Sequence, residues 1–209
     1  MDKPSLPPRR RRARLARLIL ATASFSLGGQ LSPSMLEAQE MALPIEVQWS
    51  LYDRILAFDR GFSERADGGI VVGILFQSRY RESLNARNQL LDLAQRTPAR
   101  LGGRSVRLVS IEATTPREIG AQLREEGVDV LYITPLRALD LSAIAEISSE
   151  QRVLTLTGVR EYVHMGVGLG LGLRGGRPEI LVNLRSCRAQ GAELSAELLK
   201  LSTVLNQSL

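Results

Sequence analysis

The stretch that decides the fold runs GVGLGLGLRGGRPEILVNL, residues 166–184. Six of its letters, GLGLRG at 170–175, match the spacing G-x-G-x-x-G that opens a phosphate-cradling turn in dinucleotide-binding enzymes. That fingerprint works where a strand ends, glycines permit a tight turn, and a helix N-terminus aims free N–H groups at the pyrophosphate. Here Gly166, Gly168, Gly170 and Gly172 alternate with Val167, Leu169, Leu171 and Leu173. Period two is strand geometry, with one apolar face and one face bare of side chains. A bare face marks close packing from another layer. Immediately after Gly175 the chain reads GRPEILVNL, a second strand pattern, so Arg174, Gly175 and Gly176 read as a hairpin turn. The segment predicts two strands of a sheet rather than a nucleotide cradle.

Upstream, helical and strand patterns alternate. LPIEVQWSLYDRILAF (43–58) sets Ile45, Trp49, Tyr52, Ile55 and Leu56 on one helical face. GGIVVGILFQ (68–77) is a continuous apolar run bounded by glycines, the pattern of a strand covered on both sides. An amphipathic helix comes next through Leu84, Leu91 and Ala94 and stops before Pro98. RSVRLVSIE (104–112) reads as a second strand, with Val106 and Leu108 on one face and Ser110 next in line. Thr115 then Pro116 is a cap-and-proline start for a helix that runs to Gly127. VDVLYITP (128–135) and RVLTLTG (152–158) are further strands, with the helix LSAIAEISSE between them. Beyond the hairpin, Asn183 or Ser186 starts a helix that pauses at Gly191. Leu194, Leu198, Leu201 and Leu205 then form the stripe of a terminal helix. This order predicts one α/β domain, Rossmann-like, with a mostly parallel sheet flanked by helices, a C-terminal β-hairpin and a terminal helix.

The formal charge of +5 and pI near 10 suggest nucleic acid until the charges are located. Seven basic and two acidic residues lie in 1–38, leaving 20 of each sign in 39–209. The body is neutral, which argues against a nucleic-acid partner. The head, RRRRARLARLILATASFSLGGQLSPSMLEAQE (9–40), has a basic block, an apolar run from Leu18 to Leu31, and helix breakers before LEA. That order predicts a signal peptide over 1–38, cleaved near Ala38, which leaves 39–209 as a periplasmic domain. The alternative is an uncleaved segment anchored in the inner membrane. Cys187 is the single cysteine, either a buried small hydrophobe or an intermolecular pairing site.

Chemistry-bearing patterns are sparse. His164 is the single histidine, no serine sits in G-x-S-x-G, and Lys200 is the one lysine of 39–209. Glu125 and Glu126 read as a solvated helix rim. No metal-ligand spacing and no cofactor motif stands out, so the residues argue for a binding protein rather than an enzyme.

Residues 152–205 resemble the C-terminal half of the YfiR family of periplasmic regulators. The matching residues are Val153, Leu154 and Thr155; Gly166; Gly176 and Arg177; Val182, Asn183 and Leu184; Gly191; and Leu194, Ser195, Leu198, Leu199 and Leu201. VDVLYIT resembles the strand that precedes that half, whereas 43–112 agrees only in the order of elements. The resemblance implies a non-catalytic regulator, commonly dimeric. Such a protein binds and silences the periplasmic region of an inner-membrane diguanylate cyclase, lowering cyclic-di-GMP signalling. An outer-membrane lipoprotein is a second implied partner. The chain departs from the family in lacking paired cysteines and in carrying AFDRGF (57–62) at the end of the first helix. The candidate partner or ligand surface is Trp49, Tyr52, Gln77, Ser78, Thr134 and Pro135. The alternative function is a periplasmic small-molecule binder with its ligand at the carboxyl ends of the strands.

Overall fold

The computed structural model describes residues 41–62 and 69–205, so the signal peptide expected over 1–38, with cleavage near Ala38, lies outside the described residues. In chain order the described elements are α1 (Ile45–Leu56), β1 (Ile70–Phe76), α2 (Arg81–Arg96), β2 (Arg100–Leu101) and β3 (Arg104–Glu112). Next come α3 (Pro116–Glu125), β4 (Val130–Ile133), α4 (Leu141–Glu150), β5 (Leu154–Thr157) and α5 (Arg160–His164). The hairpin strands β6 (Leu169–Arg174) and β7 (Arg177–Asn183) are next, then α6 (Leu184–Ala189), α7 (Ala196–Leu201) and β8 (Thr203–Leu205).

The strands form one curled sheet in the order β2-β3-β1-β4-β5-β6-β7-β8. Neighbours from β3 to β6 pair in parallel, as do β7 and β8; β2–β3 and β6–β7 are antiparallel. The α/β class and the helices on both sides are as expected. The sheet is mixed, its antiparallel pairs being β2–β3 and β6–β7. The pairing of β5 with β6 spans only Leu156 with Leu169 and Thr157 with Gly170. Along the hairpin, β6 and β7 pair at six positions from Leu169–Val182 to Arg174–Arg177.

Side-chain alternation sorts the core into two layers. Val130 and Tyr132 of β4 face a cluster completed by Ile45, Trp49, Tyr52 and Ile55 of α1 and by Ala86 and Leu90 of α2. Leu131 and Ile133 face the other way, onto Ile119 and Leu123 of α3, Ile144 of α4 and Tyr162 of α5. All four residues of β4 and of β5 are buried, which is why these strands are continuous apolar or Thr-bearing runs. Local signals set the helix starts. Thr115 and Glu118 form a capping box on α3 with Pro116 in its first turn, Asp140 caps α4, and Asn183 caps α6.

The glycine ribbon packs as its periodicity predicts. A Cβ on Gly170 would overlap Val163 Cγ2 of α5, and one on Gly168 would come within 2.8 Å of Gln190 Oε1 and 3.2 Å of Cys187 Sγ. The bare face therefore admits two short helices at backbone distance. Gly175 and Gly176 turn the hairpin at φ 56° and 75°, the two successive left-handed residues of a type I′ turn. No helix starts after this turn, so the dinucleotide fingerprint fails its structural context.

Two expectations are corrected. The terminal helix stops at Leu201, which is 73% exposed, and Thr203–Leu205 forms β8 against the open edge of β7. The β-branched Thr203 and Val204 suit a strand, and the unpaired edge of β7 outweighs a leucine stripe that continues only by spacing. On α2 the fully buried residues are Ser83, Ala86 and Leu90, while Leu84, Leu91 and Ala94 are half-buried beside them. Ser83 and Ala86 are small, and Leu90 reaches into the core cluster.

Candidate functional site

The chain leaves β1 toward α2 on one face of the sheet and leaves β4 toward α4 on the other, while β3 and β4 flank β1. Loops that diverge in this way leave a crevice outside the carboxyl end of the strand where the order reverses. A cleft of about 480 Å3 occupies that position, lined by Gln77, Ser78, Arg79, Tyr80, Glu112, Ala113, Thr114 and Arg137. Three loops contribute: the one after β1, the one after β3 and the one after β4.

Polar contacts fix the cleft walls. The Gln77 side chain donates from Nε2 to the carbonyl of Arg137 at 2.8 Å and accepts the Arg137 N–H at 2.7 Å. This two-point clip holds the loop after β4 against the end of β1. The Arg137 guanidinium then lies 4.2 Å from the centroid of the Tyr80 ring. Across the cleft, Glu112 Oε1 accepts from both the N–H and the hydroxyl of Ser78, each at 2.9 Å.

The floor is a buried hydroxyl relay. The Gln77 N–H donates to Ser83 Oγ at 2.8 Å, Ser83 Oγ lies 2.6 Å from Thr134 Oγ1, and Thr134 donates to the Leu75 carbonyl at 2.8 Å. Because the Thr134 hydrogen goes to Leu75, Ser83 is the donor of the middle link. Behind it, the Tyr162 hydroxyl donates to the Leu136 carbonyl at 3.0 Å and accepts the Leu136 N–H at 2.8 Å. Burial pushes the Tyr162 hydroxyl above its ordinary pKa, so it stays a donor. Ala138 sits at φ 51°, a left-handed conformation for a residue with a Cβ. The loop 136–138 is thus held from both sides in a strained shape.

The residues singled out from sequence separate into three groups. Gln77 and Ser78 line the cleft. Thr134 and Pro135 are buried beneath the loop after β4, where Thr134 supports the relay. Trp49 and Tyr52 are not on a surface: Trp49 is 7% exposed and Tyr52 wholly buried, both turned into the core by the same apolar face that defines α1. The Tyr52 hydroxyl is engaged by the Thr157 backbone. Sequence reading missed Arg79, Tyr80, Glu112, Thr114 and Arg137. The signal available was their position just past each strand, which gains meaning only once strand order is known.

Other groups named from sequence fall elsewhere. His164 lines a separate cleft of about 520 Å3 between α4 and α6. Glu126 pairs with Arg107 at 3.2 Å on an exposed rim. Cys187 is fully buried and donates to the Gly168 carbonyl at 3.2 Å. Among the described residues no His, Cys, Asp or Glu cluster is placed to hold a metal ion, and no helix is long and apolar enough to cross a membrane.

Comparison with solved structures gives a shared fold at low identity. The chain is similar to the ligand-free, open form of a substrate-binding protein with adhesive properties from Clostridium difficile (15% identity, TM-score 0.52, 75% of this chain and 60% of that one). It is also similar to a conserved domain protein from Vibrio cholerae O1 biovar El Tor (15%, TM-score 0.57, 78% and 60%). A third similar structure is an ABC domain in complex with L-Trp from Streptococcus pneumoniae (13%, TM-score 0.53, 78% and 60%). The chain spans about 60% of the length of each, and the likeness concerns the fold alone. No curated protein matches the sequence. Residues 64–203 match the family model described as YfiR/HmsC-like.

Proposed function

The chain belongs to the YfiR/HmsC-like family of periplasmic regulators, and on that premise we propose that it is an exported, non-catalytic regulator of cyclic-di-GMP signalling. In this reading residues 1–38 direct export and are removed near Ala38, and residues 39–209 form the working domain. The domain binds the periplasmic region of an inner-membrane diguanylate cyclase and holds it inactive. An outer-membrane lipoprotein and a second copy of the chain are further partners under this reading. The supporting observation is the extent of the family match, which runs from before β1 to the first residue of β8 and so takes in nearly the whole sheet.

The test is deletion of the gene followed by measurement of cellular cyclic-di-GMP, with pull-down of the domain from solubilised membranes. The reading expects higher cyclic-di-GMP on deletion and capture of a membrane protein with a cyclase domain. Unchanged levels together with no cyclase recovered would sink it.

A second reading is favoured by one specific observation, the cleft at the carboxyl ends of β1, β3 and β4. That position is where open α/β sheets hold small ligands. Two of the structures of similar fold are described as a substrate-binding protein and as an L-Trp complex. Under this reading the protein binds a small molecule there, as a receptor in its own right or as the signal that controls partner binding.

A further inference from the structure

We propose that the strand-end cleft takes a small carboxylate, gripped by the guanidinium of Arg137 with Arg79 as a second cationic contact. The proposal deepens the small-molecule reading of that cleft and rests on it.

Arg137 is fixed at three levels. Its backbone is clipped on both sides by the Gln77 amide at 2.7 and 2.8 Å, and its neighbour Leu136 is clasped by the Tyr162 hydroxyl. Its guanidinium carbon lies over the Tyr80 ring, 4.2 Å from the centroid. The group carries five N–H donors in a planar fork. No carboxylate or carbonyl among the described residues accepts from them. The strained Ala138 is next in the chain, so the loop holds a conformation that a free chain would avoid. A planar fork held still with open donors matches a carboxylate, which accepts two parallel N–H bonds.

The balance of charge in the cleft agrees. Two arginines face one acid, and Glu112 already accepts two hydrogen bonds from Ser78, which ties it to the opposite wall. Arg79 has no acceptor among the described residues. Ser78 and Thr114 line the same space, the Ser78 hydroxyl hydrogen being given to Glu112.

The full chain would be titrated with acetate, succinate and citrate, using acetamide and succinamide as uncharged counterparts. The readout is the set of arginine Nε–Hε NMR resonances. The expected result is a carboxylate-dependent shift of one resonance that disappears in Arg137→Lys. Arg137→Gln should weaken binding about tenfold or more. Arg79→Gln should weaken it less, and Arg124→Gln, far along α3, should leave it unchanged. Each variant would be checked for an unaltered backbone spectrum, and Arg137→Lys keeps the charge should Arg137→Gln disturb the loop. Equal response to the amides, equal binding by Arg137→Gln, or no arginine response to any carboxylate would each overturn the proposal. If the cyclase is still captured in that last case, the regulator reading stands while this one falls.

Discussion

The hydroxyl of Tyr52 donates to the carbonyl of Thr157 at 2.6 Å and accepts the Thr157 N–H at 3.2 Å, joining residues 105 apart in the chain. The bond bolts α1 to the sheet where β5 and β6 pair at only two positions. Burial, with Tyr132 beside it, pushes the Tyr52 pKa up, so the hydroxyl stays protonated. Tyr52→Phe removes a buried hydroxyl that supplements the β5–β6 ladder at Thr157 and should cost about 0.5–1.5 kcal/mol. Urea denaturation would show this as a lower midpoint with an unchanged slope.

Gly170 predicts a steric penalty. Its Cβ position overlaps Val163 Cγ2, so Gly170→Ala should destabilise by about 1–3 kcal/mol. The double variant with Val163→Ala should recover part of the loss, a coupling visible in a double-mutant cycle. Additive losses would mean that Val163 is not the group in the way.

Cys187 should be inert in the folded protein. It is wholly buried and its thiol is pushed well above the usual range, first by burial and then by Asp59. The nucleophile is the thiolate, so Ellman's reagent should react at the rate of unfolding rather than of collision. Addition of urea past the midpoint should release one fast-reacting thiol per chain.

Glu179 gives a pH dependence whose sign is set by its surroundings. Burial alone would raise its pKa, but the Thr203 hydroxyl, Arg160 and Arg174 together hold it below the ordinary 4.5. A folded pKa below the unfolded one means the contribution is complete above about pH 4.5 and is lost as pH falls through the lower folded value. Glu179→Gln should flatten that acid-side loss in thermal melts at stepped pH. At neutral pH the variant should be less stable by about 1–3 kcal/mol, less than a fully buried pair because both arginines reach solvent.

Much of the architecture was legible because it is written in local patterns. The buried strands β1, β4 and β5 are short apolar or Thr-bearing runs, and the glycine alternation with its Gly175–Gly176 turn specifies a hairpin. Thr115 with Pro116 marks a helix start within a residue. The hidden features depend on neighbours distant in sequence. β8 exists because β7 has a free edge, which a leucine stripe cannot reveal. The cleft brings together Gln77 and Arg137, 60 residues apart, and Ser78 and Glu112, 34 apart. Only strand order makes them adjacent. Trp49 and Tyr52 were misplaced for a related reason: an aromatic stripe on a helix looks alike whether it meets a partner or its own sheet.

The two-position seam between β5 and β6 sets where the molecule can come apart. Six ladder positions hold β6 to β7, and three more hold β7 to β8, so these strands are bound to one another more firmly than to the rest. In native-state hydrogen exchange their amides should behave as one block with its own opening free energy, below that of the β3-β1-β4-β5 plate. Beyond the ladder, Thr155 meets Gln190 and the Gly168 N–H meets Thr155 Oγ1, so the block is moored by a short seam and a few buried polar stitches.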